Sequence, residues 1–464
     1  MNSPARIRVT GVTLLLIAGG TLCPSCSQRS SEQSSDPQST TGELMEDQIT
    51  YQFAVYYLPT PTTEPLAELN ALLAQQQQPL MFRRVDEING QEASPTVAAH
   101  LEADPQTAYT PPDLEYLQRF GRGLTPAEAE ALQTTQAVLI LDWSYPKEHV
   151  WTGFRSALEI TDALARSTGG LVWDETTREV FTTDQWREQR IDSWTGDVPD
   201  VSDSTAIHAY QKEGLTRAIT LGMQKFGLPD VVIDGFALSL SRNMGHVINL
   251  FSQSMAEGAT APVPGEFDLD FSAIRNAEVR EPQVQNLGPE ATGIALLSLK
   301  QGNWEEGDPD NRLIEITFDR GTGPDIPAKQ AHILAEAFGV TDSLTTVEHD
   351  EAVLAASQRA RERLPTLRTD FNRGLAPGEF LMVKAPFTTP DDGQEWMWVE
   401  VTAWEGDSIE GLLANEPFNI PDLQAGQQVE VSEADVFDYI RKLPDGTTEG
   451  NETAKLFEQQ GEDE

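Results

Sequence analysis

Three residues in one short segment have the side-chain types of a hydrolase triad. Asp142, Ser144 and His149 lie at and just beyond the end of an apolar run at residues 137–141. A working triad needs the imidazole to be oriented against the hydroxyl by the fold, and closeness along the chain does not provide that orientation. We therefore expect a loop with a hydrogen-bonded histidine, and we keep a hydrolase that uses His149 as an alternative.

Carboxylates gather in two acidic segments, and oxygen-rich loops of this kind can hold calcium. Their members are Glu266, Asp268 and Asp270 in one segment, and Glu305, Glu306, Asp308 and Asp310 in the other. Neither segment has the glycine and the distal glutamate of an EF-hand loop. The six histidines are scattered singly, and the sequence has no phosphate-binding loop and no nucleophile elbow. We therefore expect solvated loop charge, and we assign no catalytic residue, metal ligand or cofactor.

Tryptophans near the C-terminus offer the chain's remaining candidate site. Trp396, Trp398 and Trp404 alternate with apolar residues along one predicted strand, so we expect them on one face beside Lys384 and Asn415. Exposed indole surfaces bind sugars or peptides. Tryptophan is more often interior, so we favour a buried core for these rings and keep the exposed platform as the alternative. These five residues are our candidate binding residues.

The N-terminus predicts export. Arg6 and Arg8 precede an apolar run at 12–22, which is shorter than the ~20 residues of a spanning helix. A basic start, a short apolar stretch and small residues are typical of a secretory leader, so we assign residues 1–25 to a signal peptide. The segment ending at Cys26 is similar to the bacterial lipobox, which implies a lipid on Cys26 and a membrane-anchored lipoprotein facing the periplasm or the exterior. Ordinary cleavage and secretion to the periplasm is the alternative.

The acidity of the chain limits the classes of partner that it can bind. The formal net charge is −42 over 464 residues. Phosphate binding needs clustered lysine and arginine, so nucleic acid and anionic lipid headgroups are excluded as partners. We interpret the charge as a soluble, salt-tolerant surface, with an acidic face that binds a cationic partner as the alternative.

The elements that must position these residues indicate an α+β protein. Residues 26–48 are rich in Ser, Gln and Thr and predict a disordered tether. An α+β region with a mixed sheet follows at 49–345, as one unit or two subdomains. Its strands are predicted at 53–57, 137–141, 171–173, 231–233, 294–299 and 313–318, and its helices at 66–73, 154–166, 206–225 and 327–338. The capping-box spacing of Thr125 and Glu128 predicts one more helix start, and Gly169 predicts the end of the 154–166 helix.

A smaller C-terminal domain is predicted at 346–464, with one helix and a curled antiparallel sheet or barrel. Its helix is predicted at 352–364, its strands at 380–384, 396–404, 409–413 and 429–431, and a further helix-like segment at 435–440.

Two parts of the chain resemble known bacterial families. Residues 350–438 resemble domain of unknown function 2314 in the segments Lys384-Ala-Pro-Phe, Glu395-Trp-Met-Trp-Val-Glu-Val and Gly411-Leu-Leu-Ala-Asn-Glu-Pro. This resemblance covers about a quarter of the chain and implies a fold without an established activity. Residues 137–236 more loosely resemble domain of unknown function 4261, in segments 168–174 and 220–229. Neither resemblance transfers a catalytic residue.

Together these features predict a non-enzymatic envelope protein. A lipid anchors it in the membrane, and a tether separates its folded part from the membrane. Two modules then bind or scaffold an unknown protein or cell-wall partner. One alternative is a hydrolase-like enzyme of the α+β region that uses His149 or an acidic cluster. Another is a soluble immunity or inhibitor-like protein whose acidity occupies a basic partner, which requires that residues 1–25 are not a leader.

Overall fold

The computed structural model describes most of the chain from residue 44 onward. The described residues are 15–17, 44–76, 81–212, 215–236, 240–288, 291–324, 326–339, 351–375, 379–389, 394–414, 417, 420, 423, 426–443 and 447–453. Two candidate residues, Cys26 and Asn415, lie outside them, as do most of the predicted leader and tether.

The part of the chain up to residue 339 forms two seven-stranded mixed sheets. In chain order its strands are β1 (Leu15–Ile17), β2 (Gln48–Tyr57), β3 (Arg83–Val85), β4 (Thr96–Glu102), β5 (Gly121–Arg122), β6 (Val138–Pro146), β7 (Gly170–Asp174), β8 (Glu179–Phe181), β9 (Ala206–Lys212), β10 (Leu215–Leu221), β11 (Asp230–Phe236), β12 (Gly265–Asp270), β13 (Ile294–Gln301) and β14 (Leu313–Thr317). The first sheet has the order β3-β4-β6-β2-β7-β8-β5, and the second has the order β1-β9-β10-β11-β14-β13-β12.

Nine α-helices accompany these sheets in the described residues. They are α1 (Pro65–Gln75), α2 (Pro105–Ala108), α3 (Leu114–Phe120), α4 (Pro126–Leu132), α5 (Val150–Thr168), α6 (Thr183–Trp186), α7 (Ser241–Ala256), α8 (Ala277–Gln285) and α9 (Ile326–Phe338). Local signals set several of their ends. Thr125 and Glu128 form a capping box at the start of α4. Gly169 ends α5 with a φ of 76°, a left-handed conformation that costs glycine little, and its N–H donates to Ala165.

The first sheet is covered on both faces, so the second half of its central strand β2, residues 53–57, is apolar on both sides. Phe53 and Val55 point to the core beneath α5, while Ala54 and Tyr56 pack against α3 and α4. That core continues into the second sheet, where α7 and α9 cover one face, and it runs without a break from Ile49 to Phe338. Leu44 and Met45 pack on it as well, so the folded part begins before the predicted end of the tether at residue 48.

The C-terminal part has one long helix on an open antiparallel sheet. Its elements are α10 (Glu351–Asn372), β15 (Phe380–Thr388), β16 (Gln394–Glu405), β17 (Ser408–Leu413), β18 (Gln428–Ser432), β19 (Asp438–Lys442) and β20 (Thr448–Gly450). The strand order is β18-β17-β16-β15-β19-β20. Ala360, Leu364 and Leu367 of α10 pack with one face of the sheet in a separate core. The α+β prediction is confirmed, with an open sheet rather than a barrel.

Two predicted helices are strands. Residues 206–225 form β9, β10 and a 3₁₀ turn, Met223–Phe226, and not the predicted helix. Every residue of β10 pairs with β9, and such long-range pairing overrides a weak local helix preference. The helix-like 435–440 segment begins at the end of a 3₁₀ turn, and its second half lies in β19, which pairs with β15. In the described residues no helix has both the length and the apolar character needed to cross a membrane.

Candidate functional site

Lys384, Trp396 and Trp398 lie together on the C-terminal sheet. Strand register places Lys384 opposite Trp398, and Pro386 opposite Trp396. The Lys384 Nζ lies 5.8 Å from the centroid of the Trp398 ring, within the range of a cation–π contact. Trp396 packs against Phe437 with ring centroids 4.6 Å apart. We call these three residues the Lys384–Trp398 face.

This face points away from the core beneath α10. The residues that alternate with it, among them Val383, Met397 and Val399, are buried against the helix. All three residues of the face are half-buried. Burial lowers the pKa of Lys384 from its usual value, while the nearby Asp438 carboxylate raises it. An ammonium and two indoles therefore share one partly accessible surface.

The opposite end of the same sheet face is more enclosed. Lys442 lies opposite Phe380, with its Nζ 5.8 Å from that ring. Burial, and then the positive charge of Arg122, lower the pKa of Lys442 to about 8. Since Arg122 belongs to β5, this end of the face lies near the first sheet.

Trp404 does not share the Lys384–Trp398 face. Val401 pairs with Gly411 but Ala403 pairs with Glu410, so a β-bulge interrupts β16 between them. A bulge adds one residue and reverses the alternation beyond it. Trp404 is therefore only 2% exposed and belongs to the core, where its Nε1 donates to Glu433 Oε2 at 3.0 Å. The prediction that all three tryptophans face one way is wrong for this reason.

The triad residue types are not assembled. Asp142 and Ser144 accept hydrogen bonds from Gln52 (2.7 Å) and Gln48 (2.6 Å), both on the neighbouring β2. His149 precedes α5, and among the described residues it hydrogen-bonds to neither Asp142 nor Ser144. The imidazole is therefore not positioned to take a proton from the hydroxyl.

The two acidic segments are held by arginine and lysine rather than by solvent alone. Asp308 is buried and accepts from Arg217 Nη2 at 2.7 Å, and Lys212 Nζ lies 2.5 Å from Glu305. Asp268, on β12, pairs with Arg320. The interpretation as solvated loop charge is therefore wrong for Asp308. The described residues contain no group of three or more potential ligands that could hold a metal.

Sequence reasoning missed a buried ionic cluster between the two sheets. Lys225 Nζ lies 2.5 Å from Asp174 Oδ2, and neither side chain is exposed. Arg190 Nη2 lies 3.0 Å from Glu179 Oε2 and 3.6 Å from Asp174. Arg122 binds the other oxygen of Glu179 at 2.6 Å. The only sequence signal was a lysine within an apolar segment, because the partners lie far away along the chain.

The pKa values in this cluster follow from burial and pairing. Burial lowers the pKa of Lys225 to about 8, against the charge of Asp174. Burial opposes ionisation of Glu179, but the charges of Arg122 and Arg190 overcome it and hold the pKa at about 2. Nearby, burial and then the charge of Arg178 lower the pKa of His208 to about 3. The carboxylates and cations of the cluster are paired with one another and enclosed, so we assign the cluster to stability rather than catalysis.

Comparison with known proteins supports one of the two resemblances. Residues 350–464 match the family described as "Uncharacterized protein conserved in bacteria (DUF2314)". The resemblance to domain of unknown function 2314 is confirmed. The resemblance to domain of unknown function 4261 stays a prediction, although its two segments contain Asp174 and Lys225, respectively.

A putative ankyrin repeat protein of Neisseria meningitidis serogroup B is 33% identical over 98 residues. The aligned stretch is 20% of this chain and 39% of that protein, so the similarity concerns only parts of both. No solved structure matches the chain.

Proposed function

We propose that the protein is an exported, lipid-anchored envelope protein that acts as a non-enzymatic binding or scaffolding module. The Lys384–Trp398 face is its binding surface. The observation that supports this most is the ammonium of Lys384 beside the Trp398 ring, on the sheet face opposite α10. Indoles offer flat apolar area, and the ammonium offers charge. The fitting ligand carries a sugar or aromatic ring close to a carboxylate.

The rigidity of this surface also favours a binding role. Lys384 and Trp398 lie in the middle of the pairing between β15 and β16, which extends over seven residue pairs. A site on paired strands loses little conformational freedom when a ligand arrives. Binding energy therefore goes into the contacts instead of into ordering the site.

The hydrolase alternative has weaker support. The hydroxyl of Ser144 and the carboxylate of Asp142 are occupied by β2, and His149 hydrogen-bonds to neither. The acidic residues Glu305 and Asp308 are paired with cations. A carboxylate neutralised in this way is a poor general base.

Export is supported by the leader pattern and by the position of Cys26. Fractionation of cells that produce the wild-type protein or Cys26→Ser tests it. The wild-type protein should sediment with membranes and carry a diacylglycerol mass, and Cys26→Ser should move to the soluble fraction. A wild-type chain of full length and unmodified mass in the cytosol would contradict the proposal.

Binding to the cell wall can be tested with purified peptidoglycan sacculi. The wild-type protein should co-sediment with sacculi, and Trp398→Ala should lower the bound fraction about tenfold, as expected for a central aromatic contact. Ile326→Ala is the matched control, because Ile326 is an exposed apolar residue at the start of α9, outside the C-terminal sheet. If the protein does not bind sacculi, its partner is an envelope protein and not the cell wall. In-cell cross-linking at the same face can detect such a partner.

A further inference from the structure

Trp304 differs from the other tryptophans in its exposure. All nine lie in the described part of the chain, and Trp304 alone is exposed, at 61%. It lies in the loop 302–312 between β13 and β14, which crosses the second sheet on the face opposite α7 and α9. A single exposed apolar residue is ordinary, so what matters is how its loop is held.

Two arginines fix the loop on both sides of the indole. Arg217 is 1% exposed, and its Nη2 donates to the Asn303 carbonyl at 3.0 Å and to Asp308 Oδ2 at 2.7 Å. Arg178 Nη1 donates to the Gly307 carbonyl at 2.9 Å. Hydrogen bonds with a charged partner are the stronger kind, and burial strengthens them further. The backbone that carries Trp304 is therefore ordered before any partner arrives.

The charge around Trp304 is negative. Glu306 and Asp310 are exposed, and their carboxylates accept no hydrogen bond from the described residues. Glu305, by contrast, is occupied by Lys212 and by Tyr210, whose hydroxyl lies 3.3 Å away. Two carboxylates in the same loop as the indole thus remain available to a cation.

A second exposed apolar side chain lies on β10, the strand whose Arg217 binds the loop. Leu215 is 37% exposed at the start of β10 and pairs with Lys212. It is two residues from Arg217, so both project from the same face of the strand. We call Trp304, Leu215, Glu306 and Asp310 the Trp304 surface.

We propose that the Trp304 surface docks a cationic segment of a partner protein. An arginine or lysine of that segment stacks on the indole and pairs with Glu306 or Asp310, and Leu215 accepts an apolar neighbour. The net charge of −42 attracts such a partner and repels a second copy of this chain. This surface is separate from the Lys384–Trp398 face and has the opposite charge preference.

The test measures the anisotropy of a fluorescein-labelled nona-arginine peptide with the full chain at about 0.15 M salt, where distant charges are screened. Trp304→Ala should weaken binding about tenfold, and Ile326→Ala, at an equally exposed apolar residue of α9, should leave it unchanged. Neither substitution changes the net charge, so the comparison isolates the indole. Equal affinity of Trp304→Ala and the wild-type protein overturns the proposal.

A charge-matched pair of variants gives a second, independent readout. Glu306→Gln with Asp310→Asn removes two charges from the Trp304 surface. Asp86→Asn with Glu87→Gln removes two exposed charges beside β3 in the first sheet. The loop variant should weaken binding at least about fivefold more than the remote variant. Equal losses of affinity in the two variants indicate unspecific attraction to an acidic chain and overturn the proposal. A wild-type dimer that Trp304→Ala dissociates also overturns it.

Discussion

The Lys225 ammonium lies 2.5 Å from the Asp174 carboxylate, and this buried ion pair joins the two sheets. Asp174 is the last residue of β7 in the first sheet. Lys225 lies in the 3₁₀ turn before β11 in the second. The same carboxylate also accepts from the backbone N–H of Thr176 and from its hydroxyl, so it is largely satisfied by groups around it.

Removal of Lys225 should destabilise the protein strongly. Lys225→Met leaves a buried carboxylate without its nearest cation, and breaking a buried pair in this way costs about 3–5 kcal/mol of unfolding free energy. Arg155→Met is the matched control, since its ion pair with Glu159 is half-exposed and should contribute less than about 1 kcal/mol. Urea unfolding at pH 7 measures both. A loss below about 1 kcal/mol for Lys225→Met would show that the pair is not a structural link.

His208 should make the protein less stable in mild acid. Its pKa is about 3 in the folded protein against an ordinary 6.5, so the unfolded chain binds the extra proton between these pH values. Stability is therefore full above pH 6.5 and falls as the pH drops, by about 2 kcal/mol between pH 7 and pH 5. His208→Leu should remove that loss.

The control for this prediction is His100→Leu, at an exposed position on β4. In urea unfolding at pH 7 and pH 5, this variant should lose as much unfolding free energy on acidification as the wild-type protein does. Asp230, whose pKa burial raises to about 6, acts in the opposite direction in every variant and cancels in the comparison. An unchanged acid loss in His208→Leu would contradict the assignment.

Trp404 and Trp396 should respond differently to truncation. Trp404→Ala opens a cavity in the C-terminal core and removes the donor to Glu433, at a cost of about 3–5 kcal/mol. Trp396→Ala removes a half-buried ring from the other face and should cost about 1 kcal/mol. Hydrogen exchange of β15 to β17 in the full chain reports on this core. Equal effects of the two variants would indicate that both indoles lie on one face of the sheet, and would contradict the β-bulge in β16.

Local signals predicted the elements whose ends they set. The capping box at Thr125, the turn glycine at Gly169 and the apolar runs of β2 and β6 are visible in the sequence and recur in the structure. Each of these depends on residues within four positions of one another, or on one strand. Such local features recur in the folded protein because they do not depend on contacts between residues that are distant in the sequence.

The features that sequence reasoning missed depend on distant partners. β10 is a strand because β9 and β11 pair with it on either side. Trp404 changes face because the bulge between β16 and β17 is set by strand pairing. The Asp174–Lys225 pair spans 51 positions, and an acidic sequence does not show which carboxylate is buried. Trp396 and Trp398 could be placed on one face beforehand, since alternation on one uninterrupted stretch of strand is a local pattern, whereas Lys384 lies beside them through the pairing of β15 with β16.

Site-specific cross-linking in cells tests the binding role of the Lys384–Trp398 face most directly. The full-length protein carries p-benzoylphenylalanine in place of Trp398, with Arg359 on the exposed side of α10 as the control position. We predict one discrete cross-linked envelope component from position 398, no such species from position 359, and loss of the species when Lys384→Ala is added. The same species from both positions, or none from position 398, would contradict a binding role for this face.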